Sequence, residues 1–418
     1  MKLSRWDRSA PGVRITILDH ERAPTGRPLD LAGRVLSFTF EDSAIKADRI
    51  SIQLDNTDLS LFDRSDLLGG ALLEESWGYP GNMAPPRRVT IRSIKGFTTL
   101  TLEGQALSAL MNTRVRTRKW EQISLSQVAR EVANDHGYEG RFLDVQDADD
   151  LYETINQSAE TDAQFLQRLA GKAHYQFYVD DGGFHFHPRR QYQSPAHIFT
   201  WYSNQDNAEI LSLNVESKLL HRVGRVTVKG RDPLSKSTVA ATATSQNTSR
   251  ETLGETVDVV DPESGQTSVQ LRNATDTVHS SPVPTQARAQ QEASNRFIGA
   301  EREAIRLSMQ VIGDPALRAR SIVEVRGIST LLSGKYYLKK VKHTISSSGY
   351  VCDLELTRDG MGRSTRPKQG GERNQSVPRK ASEPTPVEVI DPETGETHIE
   401  YRRDDQSPGS GDPEGRRK

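Results

Sequence analysis

The sequence contains a single cysteine, Cys352, among 418 residues. One cysteine excludes an internal disulfide framework, zinc ribbons and iron–sulfur clusters held by several cysteines. We therefore expect the protein to fold in a reducing cytosol. An excess of charge of one sign is also lacking, because 55 lysines and arginines stand against 56 aspartates and glutamates. The net charge of −1 provides no overall field that would draw the protein to DNA or to an anionic membrane.

Long hydrophobic runs are missing as well. No segment approaches the roughly 20 apolar residues that a membrane helix needs, and the N-terminal sequence MKLSRWDRSAPG lacks the apolar stretch of a secretory signal. We expect a protein that neither spans a membrane nor follows that export route. Hydrophobic residues make up only 34% of the chain, so part of it should lie outside any packed core. The length suggests about two to three domains.

Alternation of apolar and polar residues dominates the chain from Val13 to about Leu110. It is clearest in RISIQL, where Ile50, Ile52 and Leu54 alternate with polar residues. A period of two predicts short, half-buried strands. The close spacing of the turn-rich segments between them predicts a small antiparallel barrel or sandwich.

The period changes near residue 124, where two helices are predicted. Ser124 with Gln127, and Thr161 with Gln164, each form a capping box at the start of an apolar helical stripe. Asp162 lies in the first turn of the second helix, where its charge complements the helix dipole. This helix leads into YQFYV, the turn DDGG and FHFH, which predict a β-hairpin that closes a small α/β module.

Strands return after about residue 208 and continue to Arg358. We predict a surface loop or insertion for the Ser/Thr-rich stretch from Ser235 to Arg250, and an Ala-rich helix from Pro284 to about Gly299. From Gly360 onward the sequence is rich in Gly, Pro, Ser, Arg and Glu and has almost no aromatic residues. Such a tail buries too little apolar surface to offset chain entropy, so we expect it to be disordered in isolation.

One internal repeat links the second strand-rich region to the tail. VDVVDPESGQT, from Val257 to Thr267, recurs as VEVIDPETGET, from Val387 to Thr397. In each copy a short β-prone run precedes Asp-Pro-Glu-Ser/Thr-Gly, which is typical of a tight turn. We predict two equivalent small hairpins. Because a lone hairpin is marginally stable in water, each copy either docks onto a partner surface or is a turn in a linker.

Motifs of the common enzyme classes are absent. The sequence has no G-x-x-x-x-G-K-[ST] loop, no G-x-G-x-x-G after a strand, no G-x-S-x-G elbow and no H-E-x-x-H helix. His185 and His187 alternate on a predicted strand, so their imidazoles should share one face and lie close enough to share a metal. A zinc site needs three or four ligands, and the sequence does not identify the others. We expect an exposed or partner-facing strand edge rather than a metal site.

A short run of carboxylates raises the question of glycoside hydrolysis, in which two acids flank the scissile bond. The run consists of Asp144, Asp147, Asp149 and Asp150. Nothing in the sequence fixes a pair of them on rigid elements, so we expect a solvated loop. Glu160 and Asp162 fit the start of a helix better than a catalytic role.

The remaining polar candidates also have structural explanations. His343 lies on a predicted strand, where a lone histidine is usually packed or hydrogen-bonded, and no nucleophile is identified for it. The basic run Arg114 to Lys119 fits a solvated surface or ionic protein contacts better than phosphate binding. The same holds for basic residues of the tail, namely Arg363, Arg366, Lys368, Arg373, Arg379 and Lys380. Trp201 and Tyr202 fit a domain junction better than a carbohydrate platform. We predict no catalytic, cofactor-binding or metal-binding residues.

Two long motifs carry a resemblance to a known family. The first is INQSAETDAQFLQRLAGKAHYQFYVDDGGFHFHP, from Ile155 to Pro188, in which a helix leads to an aromatic hairpin with a D-G-G turn. It resembles the Q-S-x-E-[ST]-D-x-x-F-L-x-R-L-A pattern of the phage late control protein D family, the baseplate hub proteins of contractile-tailed phages. The matching residues of the helix and its approach are Gln157, Ser158, Glu160, Thr161, Asp162, Phe165, Leu166, Arg168, Leu169 and Ala170.

The second motif, from Gly313 to Arg358, is similar to the closing strands of the same family. Its matching residues are Ser333, Gly334, Tyr336, Tyr337, His343, Gly349 and Tyr350. The glycine that the family often has near Arg320 is missing, so we expect this turn to differ.

The resemblance implies a mainly β fold with an α/β insert, of the α+β class. The implied regions are 1–112, a first tube-like β-barrel; 113–207, the helix-hairpin module; 208–360, a second tube-like β-barrel with a loop insertion at 231–284; and 361–418, a largely disordered tail with a docking hairpin at 387–397.

The resemblance also implies a structural role without enzymatic activity. The expected protein is a homotrimer in which two tube-like units per chain form a pseudo-sixfold ring that matches the hexameric tail tube above and the threefold spike below. Its implied partners are the tail tube protein, the central spike protein, other baseplate proteins and the tape measure protein, with DNA only in transit through the channel and no membrane. We expect it in the virion baseplate, after assembly in the host cytoplasm.

Two other functions stay open at this point. The chain resembles the hub part of spike proteins from type VI secretion systems and phage-like injection machines, although those proteins usually continue into an OB-like domain and a β-helix needle. A tail-associated cell-wall hydrolase is the alternative of a different class, and the acidic run near Asp147 is its only local support.

Overall fold

The computed structural model of the chain describes most of the region before residue 360 and two strands after it. The described residues are 10–18, 27–28, 31, 33–64, 67, 71–106, 111–147, 151–180, 182–191, 193–201, 209–217, 223–232, 235–244, 253, 259–260, 267–268, 275–280, 285–329, 332–360, 385–390 and 397–402. The chain divides into two compact units, Met1–Pro367 and Lys368–Lys418.

The described residues are mainly β, with three α-helices. Strands β1 to β13 are Gly12–Leu18, Arg27–Pro28, Val35–Ser43, Arg49–Asp55, Leu72–Tyr79, Asn82–Met83, Arg87–Gly96, Thr99–Ala106, Val115–Ser124, Leu143–Val145, Leu151–Thr161, Tyr175–Asp180 and Gly183–Pro188. Strands β14 to β26 are His197–Thr200, Ile210–Ser217, Val223–Arg231, Thr238–Thr244, Val259–Val260, Thr267–Ser268, Thr275–Ser280, Ile305–Ile312, Ile322–Arg326, Gly334–Ser346, Gly349–Arg358, Thr385–Ile390 and Thr397–Arg402. Helices α1 to α3 are Leu125–Asp135, Asp162–Ala173 and Gln286–Glu301.

A fourteen-stranded sheet is the largest element of the first unit. Its main strand order is β15–β21–β24–β23–β3–β4–β8–β7–β5–β1–β2, and β6, β14 and β22 pair beside this path. The antiparallel pairing of β3 with β23, from Ser37 opposite Ser346 to Ser43 opposite Lys340, joins the N-terminal strands to the C-terminal ones. The pairings among the described residues do not close this sheet into a barrel. The sequence did not predict that the two strand-rich regions share one sheet, and the domain boundaries given above remain predictions.

One apolar core lies beneath this sheet, because alternate residues of its strands point to the same side. Phe38 and Phe40 of β3 are buried beside Trp77 of β5, with ring centroids 5.5 and 4.4 Å from the Trp77 ring. The same core contains Leu354 and Leu356 of β24. Strands from both ends of the first unit therefore bury their apolar faces together.

The helix-hairpin module forms between residues 111 and 188, as the sequence predicts. Strands β9 and β11 pair antiparallel, and β10, β13 and β12 form a three-stranded sheet in that order. Helices α1 and α2 cover these strands with the apolar stripes of their sequences. The module has its own apolar core.

A second small sheet occupies part of the segment for which the sequence predicts a loop. Strand β17 pairs antiparallel with β16, and β20 pairs parallel with β16 on the other side. The alternate residues Val239, Ala241 and Ala243 of β17 are buried against Ala289, Ala293 and Phe297 of α3. The loop prediction is wrong for Thr238–Thr244, because small alanine and valine side chains at alternate positions pack beneath an alanine-rich helix.

Both copies of the internal repeat contain a paired hairpin with the same register. In the first copy Val260 lies opposite Thr267, and in the second Ile390 lies opposite Thr397. The second copy belongs to the unit Lys368–Lys418. The prediction of two equivalent hairpins is confirmed for these strands, and the connecting turns lie outside the described residues.

The other predictions for the tail, including its disorder and its basic residues, fall outside the part of the chain that the structure describes. Within the described part, none of the helices has the length and apolarity required to cross a bilayer.

Candidate functional site

The start of helix α2 is fixed by the capping box that the sequence predicts. The backbone N–H of Gln164 donates to Thr161 Oγ1 over 3.3 Å, and the N–H of Thr161 donates to Gln164 Oε1 over 3.1 Å. The same reciprocal bonds link Ser124 and Gln127 at the start of α1. These bonds satisfy N–H groups that a helix end leaves without partners, so both helices begin at defined residues.

Asp162 lies at the N-terminus of α2 and is only 2% exposed. Its carboxylate accepts hydrogen bonds from Arg118 and from the side-chain amide of Gln157 at 2.9 Å. His136 Nε2 is 2.9 Å away, and Arg116 Nε is 3.4 Å away. Burial acts to raise the pKa of Asp162, but the hydrogen bonds and the two arginine charges outweigh it and lower the pKa. We refer to these five residues as the Asp162 cluster.

Apolar residues of the same motif hold α2 against the module. The buried members are Phe165, Leu166, Leu169 and Ala170. The Phe165 ring stacks on Trp120 of β9, with centroids 5.2 Å apart and planes 8° apart. On the exposed side, Arg168 forms an ion pair with Glu160. The motif residues therefore fix the position of α2, and Glu160 and Asp162 act at the helix start, as predicted.

The hairpin of β12 and β13 brings together residues that the sequence considered separately. Strand β10 pairs parallel with β13, with Asp144 directly opposite His185. Strand β13 lies between β10 and β12. The expectation of an exposed strand edge at His185 and His187 is therefore wrong, because β13 has a neighbour on each side and His187 is only 2% exposed.

Asp144 is the third member of a group with the two histidines. Its Oδ2 atom lies 3.3 Å from His185 Nδ1, 3.7 Å from His187 Nε2 and 2.8 Å from Arg190 Nη2. Burial acts to raise the pKa of Asp144, but the hydrogen bond with His185 and the nearby positive charges lower it. Burial lowers the pKa of His187. Asp144, His185 and His187 form a set of potential metal ligands, with ligand atoms within 4.8 Å of one another.

Arg320 lies where the first strands, the module and the closing strands meet. Its Nη2 atom donates to Asp42 Oδ1 of β3 over 2.7 Å, and its guanidinium also donates to the carbonyl of Ser43. The same guanidinium lies over the ring of Tyr178 in β12, 4.3 Å from the ring centroid. Arg320 therefore contacts residues from three sequence regions, and we refer to Arg320, Asp42 and the neighbouring Asp48 as the Arg320 cluster.

The backbone of Arg320 has a conformation that favours glycine. Its φ angle is +70°, in the left-handed region that glycine adopts most easily. The N–H of the preceding Ala319 donates to Asp42 Oδ2 over 3.0 Å, so both oxygens of this carboxylate hold the turn. The expectation that this turn differs from the family's stays a prediction.

Asp48 is the second buried acid of the Arg320 cluster. Its Oδ1 atom accepts a hydrogen bond from the N–H of Ser43 over 3.3 Å. Burial and the adjacent charge of Asp42 raise the pKa of Asp48 to about 8, although Arg320 acts in the opposite direction. Burial and the neighbouring Asp42 therefore outweigh the charges of Arg320 and Arg87, and Asp48 keeps its proton near neutral pH.

His343 is packed in the main core, as the sequence predicts. Its Nδ1 atom lies 2.7 Å from the hydroxyl of Tyr350 and 3.2 Å from the sulfur of Cys352. Burial lowers the pKa of His343 to about 3 and raises the pKa of Cys352 to about 12. At neutral pH the imidazole is uncharged and the thiol stays protonated, so this pair is not an activated nucleophile and base.

The residues weighed for hydrolysis and phosphate binding are held in ionic contacts. Asp147 is mostly exposed and lies 2.7 Å from Arg130 Nη2. In the basic run, Arg116 and Arg118 belong to the Asp162 cluster and Lys119 pairs with Glu121. The preference for ionic protein contacts is confirmed at these three positions.

Trp201 is half-buried and packs against the main core, as expected for a junction residue. Tyr202, Asp149 and Asp150 lie outside the described residues. The sequence analysis did not find the contacts within the Arg320 cluster. It also did not find the contact of Asp144 with the two histidines. For Arg320, the sequence offered one signal, namely the absence of the glycine that the family often has near this position.

Comparison with known proteins identifies the family through one family model. The model of the phage tail baseplate hub (GPD) family matches residues 89–349. A tail protein from Neisseria meningitidis MC58 has the same fold at a TM-score of 0.59, with 15% identity over 84% of this chain and 97% of its own. A 43 kDa tail protein of prophage MuSo2 from Shewanella oneidensis gives a TM-score of 0.60, with 12% identity over 84% of this chain and 100% of its own.

A chain of a lidless PdpA–VgrG complex also shares the fold, with a TM-score of 0.50 and 12% identity over 89% of this chain and 71% of its own. No protein with a curated description matches the sequence significantly. At such low sequence identity the structural neighbours establish only a shared fold. Membership of the family rests on the match to the family model. Since the match spans more than half of the chain, including α2, the hairpin and most of the closing strands, the protein is a member of the phage tail baseplate hub family.

Proposed function

We propose that three copies of this chain form the hub of a contractile phage baseplate and join a hexameric tail tube to a trimeric central spike. The match of the hub family model to residues 89–349 is the observation that carries this proposal. Two tube-like strand regions in each chain give six in a trimer, which is the number needed to meet a hexameric tube. In this arrangement the hub is a structural component of the virion, and it acts by matching two symmetries rather than by catalysis.

The ends of the large sheet are suited to contacts between subunits. In the part of the chain that the structure describes, β15 pairs on one side only, with β21, and β2 lies at the opposite end of the strand order. An unpaired strand edge presents N–H and C=O groups to a neighbouring strand. Leu211 of β15 is 50% exposed, so an apolar side chain is available beside this edge. We propose that the β15 edge pairs with the neighbouring subunit in the ring.

The outer face of the closing strands fits the wall of a channel. Lys340 lies 3.2 Å from Glu41 and 3.5 Å from Glu355, so positive and negative groups are paired across β3, β23 and β24. Balanced charge provides no strong attraction for phosphates. In the proposed hub this face lines the central passage and lets DNA pass without binding it. The half-buried and exposed polar residues of the face are Ser308, Gln310, Lys340, Lys342, Asp353 and Glu355.

Hubs of phage-like injection machines would use the same arrangement, and the fold alone does not separate the two particle types. A cell-wall hydrolase receives no comparable support. Asp147 is paired with Arg130, and the pKa of Asp144 is lowered, whereas the general acid of a glycosidase needs a raised pKa.

The mass of the full-length protein in solution tests the proposal. We expect light scattering at high concentration to give three times the chain mass of 46.6 kDa, and negative-stain images to show rings. Leu211→Lys should shift the protein towards monomers, because a charged side chain at a strand edge opposes pairing.

Val278→Lys is the matched control, since Val278 is 61% exposed on the separate sheet of β16, β17 and β20. This variant should remain trimeric. A wild-type chain that stays monomeric at every concentration would refute the trimer, and equal loss of trimers in the two variants would refute the role of β15.

A further inference from the structure

Three side chains with metal-ligand chemistry converge on the small sheet of the module. Asp144 lies on β10 and His185 and His187 on β13, and the pairing of these strands places Asp144 beside the two histidines. Two nitrogen ligands and one carboxylate oxygen are a set that zinc accepts when a water molecule takes the fourth position. We propose that Asp144, His185 and His187 bind a divalent transition metal ion of the zinc type. This inference is independent of the hub function.

Two of the three distances between the ligand atoms are close to those of tetrahedral coordination. Bonds of about 2.0 to 2.2 Å from zinc to nitrogen and oxygen place neighbouring ligand atoms about 3.3 to 3.6 Å apart. Asp144 Oδ2 lies 3.3 Å from His185 Nδ1 and 3.7 Å from His187 Nε2. The two imidazole nitrogens lie within 4.8 Å of each other, so a small rotation of one ring completes the site.

Hydrogen bonds orient His185 so that a lone pair faces Asp144. Its Nε2 atom is 3.0 Å from Asp180 Oδ1, which accepts the proton of that nitrogen. A neutral imidazole has one N–H, so Nδ1 then presents a lone pair to the carboxylate of Asp144. A proton on Nδ1 makes this 3.3 Å contact the hydrogen bond to Asp144 described above, and a metal ion bound between the two atoms would take the place of that proton. Tyr178 stacks on the ring, with centroids 4.4 Å apart, and limits its rotation.

His187 is oriented in the same way. Its Nδ1 atom lies 2.7 Å from the carbonyl oxygen of Pro188, which only accepts hydrogen bonds, so the proton resides on Nδ1. Nε2 therefore has a lone pair; it lies 3.7 Å from Asp144 Oδ2 and accepts a hydrogen bond from the Tyr178 hydroxyl over 3.3 Å, which a bound metal ion would displace. A metal-binding histidine usually donates its other N–H to a carboxylate or a backbone carbonyl, and the two histidines here use one of each.

Arg190 is the group that competes with a metal ion. Its Nη2 atom lies 2.8 Å from Asp144 Oδ2 and 3.1 Å from Oδ1, and its side chain is partly exposed. Because it also reaches Oδ1, the arginine can stay on that oxygen while Oδ2 binds the metal.

Zinc alone is the probe for the test. Full-length protein, freed of any affinity tag and stripped with EDTA, is titrated with Zn²⁺ by calorimetry at neutral pH, and four-coordinate Co²⁺ is detected by its visible absorption. We expect one ion per chain, with binding lost in His185→Gln and Asp144→Asn. Asp180→Asn should weaken binding by about 10-fold or more without removing a ligand, because it releases the orienting hydrogen bond of His185.

Two further variants complete the design. His279→Gln changes a histidine outside the site, near Arg296, and should leave the affinity unchanged. Arg190→Gln should bind Zn²⁺ at least as tightly as the wild type, because it removes the competing cation. Lack of stoichiometric Zn²⁺ binding by the wild type would overturn the proposal, and so would unchanged affinity in folded His185→Gln or Asp144→Asn protein. Circular dichroism of each variant establishes that it is folded.

Discussion

The Asp162 cluster and the Arg320 cluster both bury carboxylates with arginine, yet they differ in charge balance. At Asp162, one acid faces Arg116, Arg118 and His136, and its pKa is lowered. In the Arg320 cluster two buried acids lie close together, and burial and the charge of Asp42 raise the pKa of Asp48 despite the opposing charges of Arg320 and Arg87. An acid bonded to several cations stays ionised, whereas a buried acid beside a second acid keeps its proton to a higher pH.

The clusters also differ in the chain segments that they connect. The contacts of Asp162 come from residues 116 to 157, all within the helix-hairpin module. Asp42 and Arg320 are 278 residues apart and belong to opposite ends of the first unit. The Asp162 cluster therefore stabilises one module, and the Arg320 cluster links the first strands to the last.

The largest expected effect follows from removing the shared arginine. Arg320→Met leaves Asp42, which is fully buried, without its cation, so the free energy of unfolding should fall by about 3 to 5 kcal/mol. Arg320→Gly should cost about 1 kcal/mol less than Arg320→Met, because glycine adopts the φ angle of +70° without strain. Urea unfolding of the full-length variants measures both values.

Arg326→Ala is the control, since it removes an exposed arginine that pairs with Glu324 on the neighbouring strand β22. Exposed ion pairs contribute little to stability, so this variant should unfold like the wild type. If Arg320→Met is no more destabilising than Arg326→Ala, the buried pair does not link the two ends of the unit, and the contrast between the clusters fails.

The features of the fold that were predicted from the sequence depend on residues that are close together along the chain. Both capping boxes involve residues three positions apart, and the confirmed hairpin of β12 and β13 is a local turn. The same periodicities predicted strand-rich regions on both sides of the helices, which agrees with the α+β class that the resemblance implied. Local hydrogen bonds and patterns of burial can be recognised directly in a short window of sequence.

The missed features depend on partners that are distant in sequence. The pairing of β3 with β23 and the contact of Asp144 with His185 each require a register that no short window contains. Strand β17 was mistaken for a loop because Thr, Ser and Ala also occur in loops, and its burial depends on α3. For the candidate metal site, the pair of histidines was recognised in the sequence, but Asp144 was assigned to a separate acidic loop.

A smaller and local effect is expected at Asp162. Asp162→Asn removes the negative charge that Arg116 and Arg118 share but keeps an oxygen that accepts hydrogen bonds, so we expect a loss of about 1 to 3 kcal/mol. Hydrogen exchange should accelerate in α2 and β11 while β23 and β24 keep their protection, because the cluster is confined to the module.

Asp135→Asn is the matched control, since Asp135 contacts the same two arginines from an exposed position. It should change the free energy of unfolding by less than about 1 kcal/mol. Equal loss of protection in β23 and in α2 on Asp162→Asn would show that the two clusters are not independent.

The pH dependence of stability at Asp48 tests the charge balance itself. The folded protein holds a proton on Asp48 up to a pH of about 8, whereas an aspartate in the unfolded chain releases its proton near pH 4. Between these values the folded state binds more protons, so this group makes the free energy of unfolding fall as the pH rises, by at most about 1.4 kcal/mol per pH unit. Above about pH 8 both states are ionised and the contribution of Asp48 stops changing.

Asp48→Asn replaces the protonated acid by a neutral side chain of similar shape. Urea unfolding at several pH values should show that the variant has lost this part of the pH dependence and is more stable than the wild type near pH 8. Asp162 should contribute with the opposite sign, because its lowered pKa adds stability above pH 4 that is lost on acidification. The same pH slope in Asp48→Asn and the wild type would mean that Arg320 holds both acids ionised, and the two clusters would then not differ in their protonation.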